Sequence, residues 1–168
     1  MKAFLTALPL LALMAATSPA QAKVAKPAKP QIERTRGSPT AVISSTATVP
    51  AGSKLVFVSG TTPSPLDPAN PEEFGDTRTQ TESVLSKMKA QLESMGLGMG
   101  DVVKMTVFLV GVPEKEGRMD SAAMNEVFKT YFGTPAQPNT PTRSTIQVAA
   151  LGRPKMYVEI EAVVAKAP

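Results

Sequence analysis

The sequence predicts an α+β domain, a sheet with two helices packed on one of its faces. Three observations predict it. Two stretches place apolar residues at three- and four-residue spacing, the period of a helix with one buried stripe. Five others alternate, or form short apolar runs rich in Val, Ile and Thr, the period of strands. Their order is β, β, α, β, α, β, β, which interleaves helices with strands.

Each element has its own warrant. Residues 41–49 are β-prone, and Leu55-Val56-Phe57-Val58-Ser59 reads as a buried strand between Gly52 and Gly60. Pro50-Ala51-Gly52-Ser53 is a turn between them, so the two can form a hairpin. Residues 61–76 carry Pro63, Pro65, Pro68 and Pro71 and read as a loop. A helix follows over 77–95, with Val84, Leu85, Met88, Leu92 and Met95 as its stripe and Gly96 beyond its end. Its methionines are core filler. Residues 102–110 form a strand in which Lys104 and Thr106 alternate with Val103, Met105 and Val107. The second helix spans 120–132, capped by Asp120 or Ser121, with Ala123, Met124, Val127, Phe128 and Tyr131 on one side. Gly133, Pro135 and Pro138 end it.

Residues 143–149 and 156–164 alternate and read as two strands joined at Leu151-Gly152-Arg153-Pro154. A short connection makes them antiparallel neighbours. Their apolar faces match if Ile146 and Val148 lie beside Val158 and Ile160. Arg143, Thr145 and Gln147 are then expected to share the other face with Glu159 and Glu161. Two readings stay open for that polar face: a solvated surface with exposed ion pairs, or a ligand cleft covered by other subunits.

The start of the chain reads as a cleavable export signal over residues 1–22. Met1-Lys2 is a short positive region, Ala3 to Ala16 is largely apolar, and Ala20-Gln21-Ala22 offers small residues for cleavage. The apolar run falls short of the roughly 20 residues that span a bilayer. A periplasmic or secreted protein is expected, with no stable membrane insertion after cleavage. Residues 23–38, rich in Pro and Lys, are expected to be a flexible linker, and 39–168 the folded domain.

Composition removes whole classes of chemistry. There is no Cys and no His. Thiol catalysis, Ser-His-Asp sites and zinc-thiolate sites are excluded, and no metal is expected. Of 18 cations, Lys2, Lys23, Lys26, Lys29, Arg34 and Arg36 lie before the expected domain, opposed there only by Glu33 of 14 acids. The remainder, 12 cations against 13 acids, has no net basic character, so no nucleic-acid partner is expected.

A set of motifs in order resembles the RidA/YjgF family over roughly residues 41–165. They are Val58-Ser59-Gly60, Gln80, Gly96-Leu97, Asp101-Val102-Val103-Lys104-Met105-Thr106-Val107-Phe108, Asn125, Pro141-Thr142-Arg143-Ser144 and Val158-Glu159-Ile160-Glu161-Ala162. The resemblance implies a chorismate-mutase-like mixed sheet with two helices on one face, assembled as a homotrimer with the sheets inward. It implies hydrolysis of reactive enamines and imines, such as 2-aminoacrylate and 2-iminobutanoate, to 2-keto acids and ammonia without metal or cofactor. It also implies that Arg143 binds the substrate carboxylate and that Glu159 positions the attacking water. A planar guanidinium fork suits the first task and a carboxylate the second. Ser59, Gly60, Thr145 and Asn125 are implied to line the cleft. The sequence departs from relatives in four places: no tyrosine stands between Ser44 and Thr48, the loop from Thr61 to Asp76 is long and proline-rich, Thr145 replaces a frequent cysteine, and Thr142 replaces a frequent alanine. A non-catalytic binding module for small carboxylates, or a holdase or effector protein, are the alternatives to an enamine/imine deaminase.

Overall fold

The computed structural model describes residues 29–168. The expected signal segment, 1–22, and the first part of the expected linker lie outside the described residues. Six strands and two helices follow in chain order: β1 (Glu33–Thr35), β2 (Thr46–Thr48), β3 (Lys54–Thr61), α1 (Thr77–Ser94), β4 (Val102–Val110), α2 (Ser121–Tyr131), β5 (Thr142–Val148) and β6 (Val158–Lys166). The α+β expectation holds: β3, β6, β4 and β5, in that order, form one mixed sheet. β6 runs antiparallel to both β3 and β4, and β4 runs parallel to β5.

Parallel neighbours need a long crossover, and α2 supplies the one between β4 and β5. α1 joins β3 to β4 in the same way, with β6 lying between those strands. Both helices cover one face. Val84, Leu85, Met88 and Leu92 of α1 meet Met124, Val127 and Phe128 of α2 above Met105, Val107 and Leu109 of β4 and Val158, Ile160 and Val164 of β6. Burying each of these large side chains stabilises the fold by about 1.5–3 kcal/mol before ordering costs. Aspartates cap both helix starts, the second at one of the two residues expected: Asp76 Oδ1 accepts from Thr79 N at 2.8 Å, and Asp120 Oδ1 from Ala123 N at 3.1 Å.

Three expectations are corrected. β2 does not form a hairpin with β3. It pairs with β1, in register Glu33↔Thr48 to Thr35↔Thr46. The preceding residues are drawn off the extended path, because Ser44 is buried and its hydroxyl lies 2.7 Å from Thr140 O. Second, Glu33–Thr35 sit inside the stretch expected to be a flexible linker, yet they form β1, and Arg34 Nη2 donates to Gly100 O at 2.9 Å. Third, β5 and β6 are not neighbours, because β4 lies between them. The link over 149–157 is long enough to pass over β4, whose alternate residues are the more deeply buried.

This last change turns β5 over. Met105 is the partner of both Arg143 and Ala162, and Val107 of both Thr145 and Ile160. Arg143, Thr145 and Gln147 therefore share the helix-covered face with the core residues. Glu159 and Glu161 partner Phe108 and Thr106, and face the other way. Ile146, expected in the core, is 46% exposed on that second face, with Phe57 at 76%.

The proline-rich loop over 61–76 is fastened at its end. Phe74 is buried to 1% exposure. Gln80, fully buried in α1, donates to Gly75 O and Lys155 O, both at 2.8 Å, and accepts from Tyr157 N at 2.7 Å. One side chain thus ties the loop, the first helix and the approach to β6 together.

Candidate functional site

Two half-sites flank the sheet. The first is built on the edge strand β5 and on α2. Arg143 lies part-buried, and its guanidinium carbon stands 4.3 Å from the centroid of the Phe128 ring. Arg143 Nη2 donates to Asn125 Oδ1 at 2.7 Å, and Nη1 approaches Met124 Sδ at 3.6 Å. Met124 and Asn125 precede Phe128 by four and three residues, the spacings at which helix side chains are neighbours. Phe128 is held in turn against Phe132, with ring centroids 4.5 Å apart. Burial lowers the Arg143 pKa from its ordinary value, but a guanidinium remains a cation at any physiological pH. Among the described residues no carboxylate forms an ion pair with it. Thr145, two residues along the same face, carries a buried Oγ1 with no hydrogen-bond partner among the described residues.

The second half-site is built on β3 and β6. Between Val58↔Ala162 and Thr61↔Ile160 the register shifts by one residue, so Ser59 and Gly60 stand opposite Glu161 alone. This is a β-bulge, and it leaves both residues exposed. A Cβ at Gly60 would overlap the Glu159 carboxylate. Glycine is therefore what lets that carboxylate lie against the bulge. Beside it, Phe57, Ser59, Lys104, Thr106 and Glu161 line a hollow of about 260 Å³ on the open face of the sheet.

The expected residues are all brought to these two places, but not to one place. Arg143, Thr145 and Asn125 form the first half-site; Ser59, Gly60 and Glu159 form the second. Arg143 and Glu159 project from opposite faces of the sheet, which corrects the shared face expected from sequence. Sequence reasoning missed Phe128 and Met124 as partners of the arginine, because their helical spacing marks them equally well as core. It also missed the close approach of Gly60 to Glu159, for which a glycine at the end of an apolar run was the available signal.

Comparison with known proteins identifies the family and the fold. The family described as Endoribonuclease L-PSP matches residues 38–166. A RutC family protein of Pyrococcus horikoshii is 36% identical over 113 residues, covering 67% of this chain and 79% of its own. Escherichia coli TdcF, provisionally named a reactive intermediate deaminase, is 38% identical over 109 residues, covering 65% of this chain and 77% of its own. The crystal structure of E. coli TdcF with bound serine superposes with a TM-score of 0.53 at 36% identity, covering 71% of this chain and 85% of that one. RidA from an Antarctic Psychrobacter gives 0.52 at 32% identity, covering 76% and 90%. The matched length runs from just after β1 to the end of β6 and includes both half-sites, and on it the chain belongs to the Endoribonuclease L-PSP family, the RidA/YjgF group of proteins.

Proposed function

We propose that this protein hydrolyses enamine or imine intermediates bearing a carboxylate to 2-keto acids and ammonia, in clefts shared between copies of the chain. The observation that carries the reading is Arg143: a part-buried guanidinium with no acid paired to it among the described residues, held by neutral groups of α2. Such a cation is arranged for an anion from outside the chain, and its planar fork matches a carboxylate. The buried Thr145 hydroxyl beside it, without a hydrogen-bond partner among the described residues, adds a second polar group that a ligand can satisfy. TdcF, a relative with a bound carboxylate-bearing amino acid, supports the same class of ligand.

The chemistry needs water activation as well as carboxylate binding. Glu159, lying against the bulge, can take a proton from water as the water oxygen bonds to the iminium carbon. The proton passes to nitrogen, the carbon–nitrogen bond breaks, and a 2-keto acid and ammonium leave. An enamine first takes up a proton on its terminal carbon to become that iminium. Arg143 contributes by fixing the carbon in place through the carboxylate next to it.

One chain does not bring these groups together, since they lie on opposite faces and toward opposite edges of the sheet. A head-to-tail contact between copies does, and a closed ring of such contacts makes each interface alike. A homotrimer would hold three complete clefts and cover the exposed Phe57 and Ile146. Export by the segment 1–22 belongs to the same reading, and the mass of the mature protein tests cleavage before Lys23.

The decisive experiment adds purified protein to freshly generated 2-iminobutanoate and follows ammonia release. Wild type is expected to accelerate it and Arg143→Ala to lose the acceleration. Equal rates with and without wild type would end the enzymatic reading. Saturable keto-acid binding without turnover would instead favour a binding module. Suppression of a client's aggregation, unchanged in Arg143→Ala, would favour a holdase.

A further inference from the structure

Arg143 is the proposed carboxylate ligand, yet a long side chain on an edge strand has many places to point. Its direction is set from α2. Guanidinium nitrogens only donate, so the Asn125 oxygen, not its nitrogen, must face Nη2 across the 2.7 Å contact. That oxygen is occupied within the chain. Phe128 closes one face of the same guanidinium and Met124 Sδ lies beside Nη1. All three neighbours are uncharged. The acid next in sequence, Glu126, is paired instead with Arg78 of α1. From β5, the residues on the same face as Arg143 are Thr145 and Gln147, and neither is charged.

From this arrangement we propose that Asn125 is a positioning residue: its neutral amide oxygen aims the Arg143 fork while leaving the positive charge undivided for a single ligand carboxylate. An aspartate would offer an oxygen in nearly the same place, but it would pair with the guanidinium and compete with the ligand. The choice of amide over acid at 125 is thus a determinant of anion affinity. It acts through Arg143 and makes no contact with the reacting atoms.

The inference rests on the reading that Arg143 holds a carboxylate, and two measurements separate their failures. Binding of 2-ketobutanoate to the full-length protein is measured by calorimetry, and turnover of 2-iminobutanoate is measured in parallel. Asn125→Asp is expected to raise both Kd and KM about tenfold or more at pH 7.5, with kcat within about threefold, because transition-state contacts are untouched. The variant to wild-type ratio in Kd should fall back toward one as pH drops below about 4, where the new carboxyl, held down by the guanidinium beside it, takes up a proton. Asn125→Ser, which shortens the acceptor without adding charge, is expected to weaken binding at every pH by a constant factor. A purely structural role for Asn125 would produce no such difference in pH profile. If Asn125→Asp binds like wild type at pH 7.5, or loses affinity independently of pH, the inference fails while the function stands. If wild type neither binds the keto acid nor turns over the imine, both fail.

Discussion

Replacing Gln80 by Leu should be among the most damaging single changes in the domain. The side chain is fully buried and makes three hydrogen bonds of 2.7–2.8 Å, to Gly75 O, Lys155 O and Tyr157 N. Leu has similar volume but leaves two carbonyls and one amide without partners. Each unsatisfied buried group costs about 1–3 kcal/mol. Lys155 is exposed, so water can reach its carbonyl, and the new methyl groups recover part of the loss through apolar burial. The net expectation is about 2–4 kcal/mol, a large share of the roughly 5–15 kcal/mol that holds a domain folded. In thermal unfolding this should lower Tm by on the order of 10 °C. Gln80→Glu provides the control. It keeps an acceptor for Tyr157 N but turns a carboxylate toward two carbonyl oxygens, so it should lose more stability at pH 7 than at pH 4. Because Tyr157 stands two residues before Glu159, surviving Gln80→Leu protein should also show reduced kcat. A loss below about 1 kcal/mol in urea unfolding would refute the reasoning, since it would mean the three bonds are each replaceable by water.

Other changes have expected outcomes of different kinds. Gly60→Ala should leave Tm within about 2 °C but reduce kcat at least tenfold, because a Cβ there displaces the Glu159 carboxylate; steady-state kinetics beside a melting curve check both. Asp76→Ala should cost about 1 kcal/mol at pH 7, as loss of a helix cap does. The hydrogen bonds from Thr79 hold the Asp76 pKa below its ordinary 3.8, so this contribution is present above pH 3.8 and fades as pH falls through the lowered value; wild type and variant should then unfold alike in urea. Burial and a 2.5 Å hydrogen bond to Glu82 push the Tyr131 phenol up to about 12. The unfolded chain ionises first, near 10, so stability from this phenol is intact below pH 10 and lost between pH 10 and about 12; Tyr131→Phe should unfold with a flatter pH dependence over that window. Phe57→Asp, on the open face, should shift the proposed homotrimer toward monomer in analytical ultracentrifugation while the circular dichroism spectrum is kept.

Helices were the most legible part of the sequence. Val84, Leu85, Met88 and Leu92 of the expected stripe sit at zero exposure, while Met95, at the helix C-cap, is 40% exposed, and the expected cap at Asp120 is observed. A helix satisfies its own backbone, so its local pattern is nearly sufficient. Strand partners were not legible in the same way. Alternation in β5 and β6 gave each strand's period correctly but not which strand lies beside it. In β5 the apolar set, Ile146 and Val148, was assigned to the core, and the structure turns Arg143, Thr145 and Gln147 there instead. An edge strand carries no sequence mark that says which of its two faces its own helix will cover. The site residues were legible only through the resemblance of their motifs. Their division into two half-sites depended on β4 lying between β5 and β6, which is a property of the whole sheet.

In the proposed trimer, Arg143 from one copy works with Glu159 from another. Subunit complementation tests it most directly. Arg143→Ala and Glu159→Gln are each prepared as inactive proteins, then co-expressed in equal amounts, with mixed oligomers verified by native mass spectrometry. An interface regains both groups when a Glu159→Gln chain supplies the arginine and an Arg143→Ala chain supplies the glutamate, so random mixing should restore about one quarter of wild-type activity. Mixed oligomers no more active than either parent, with wild type active in the same assay, would contradict the account.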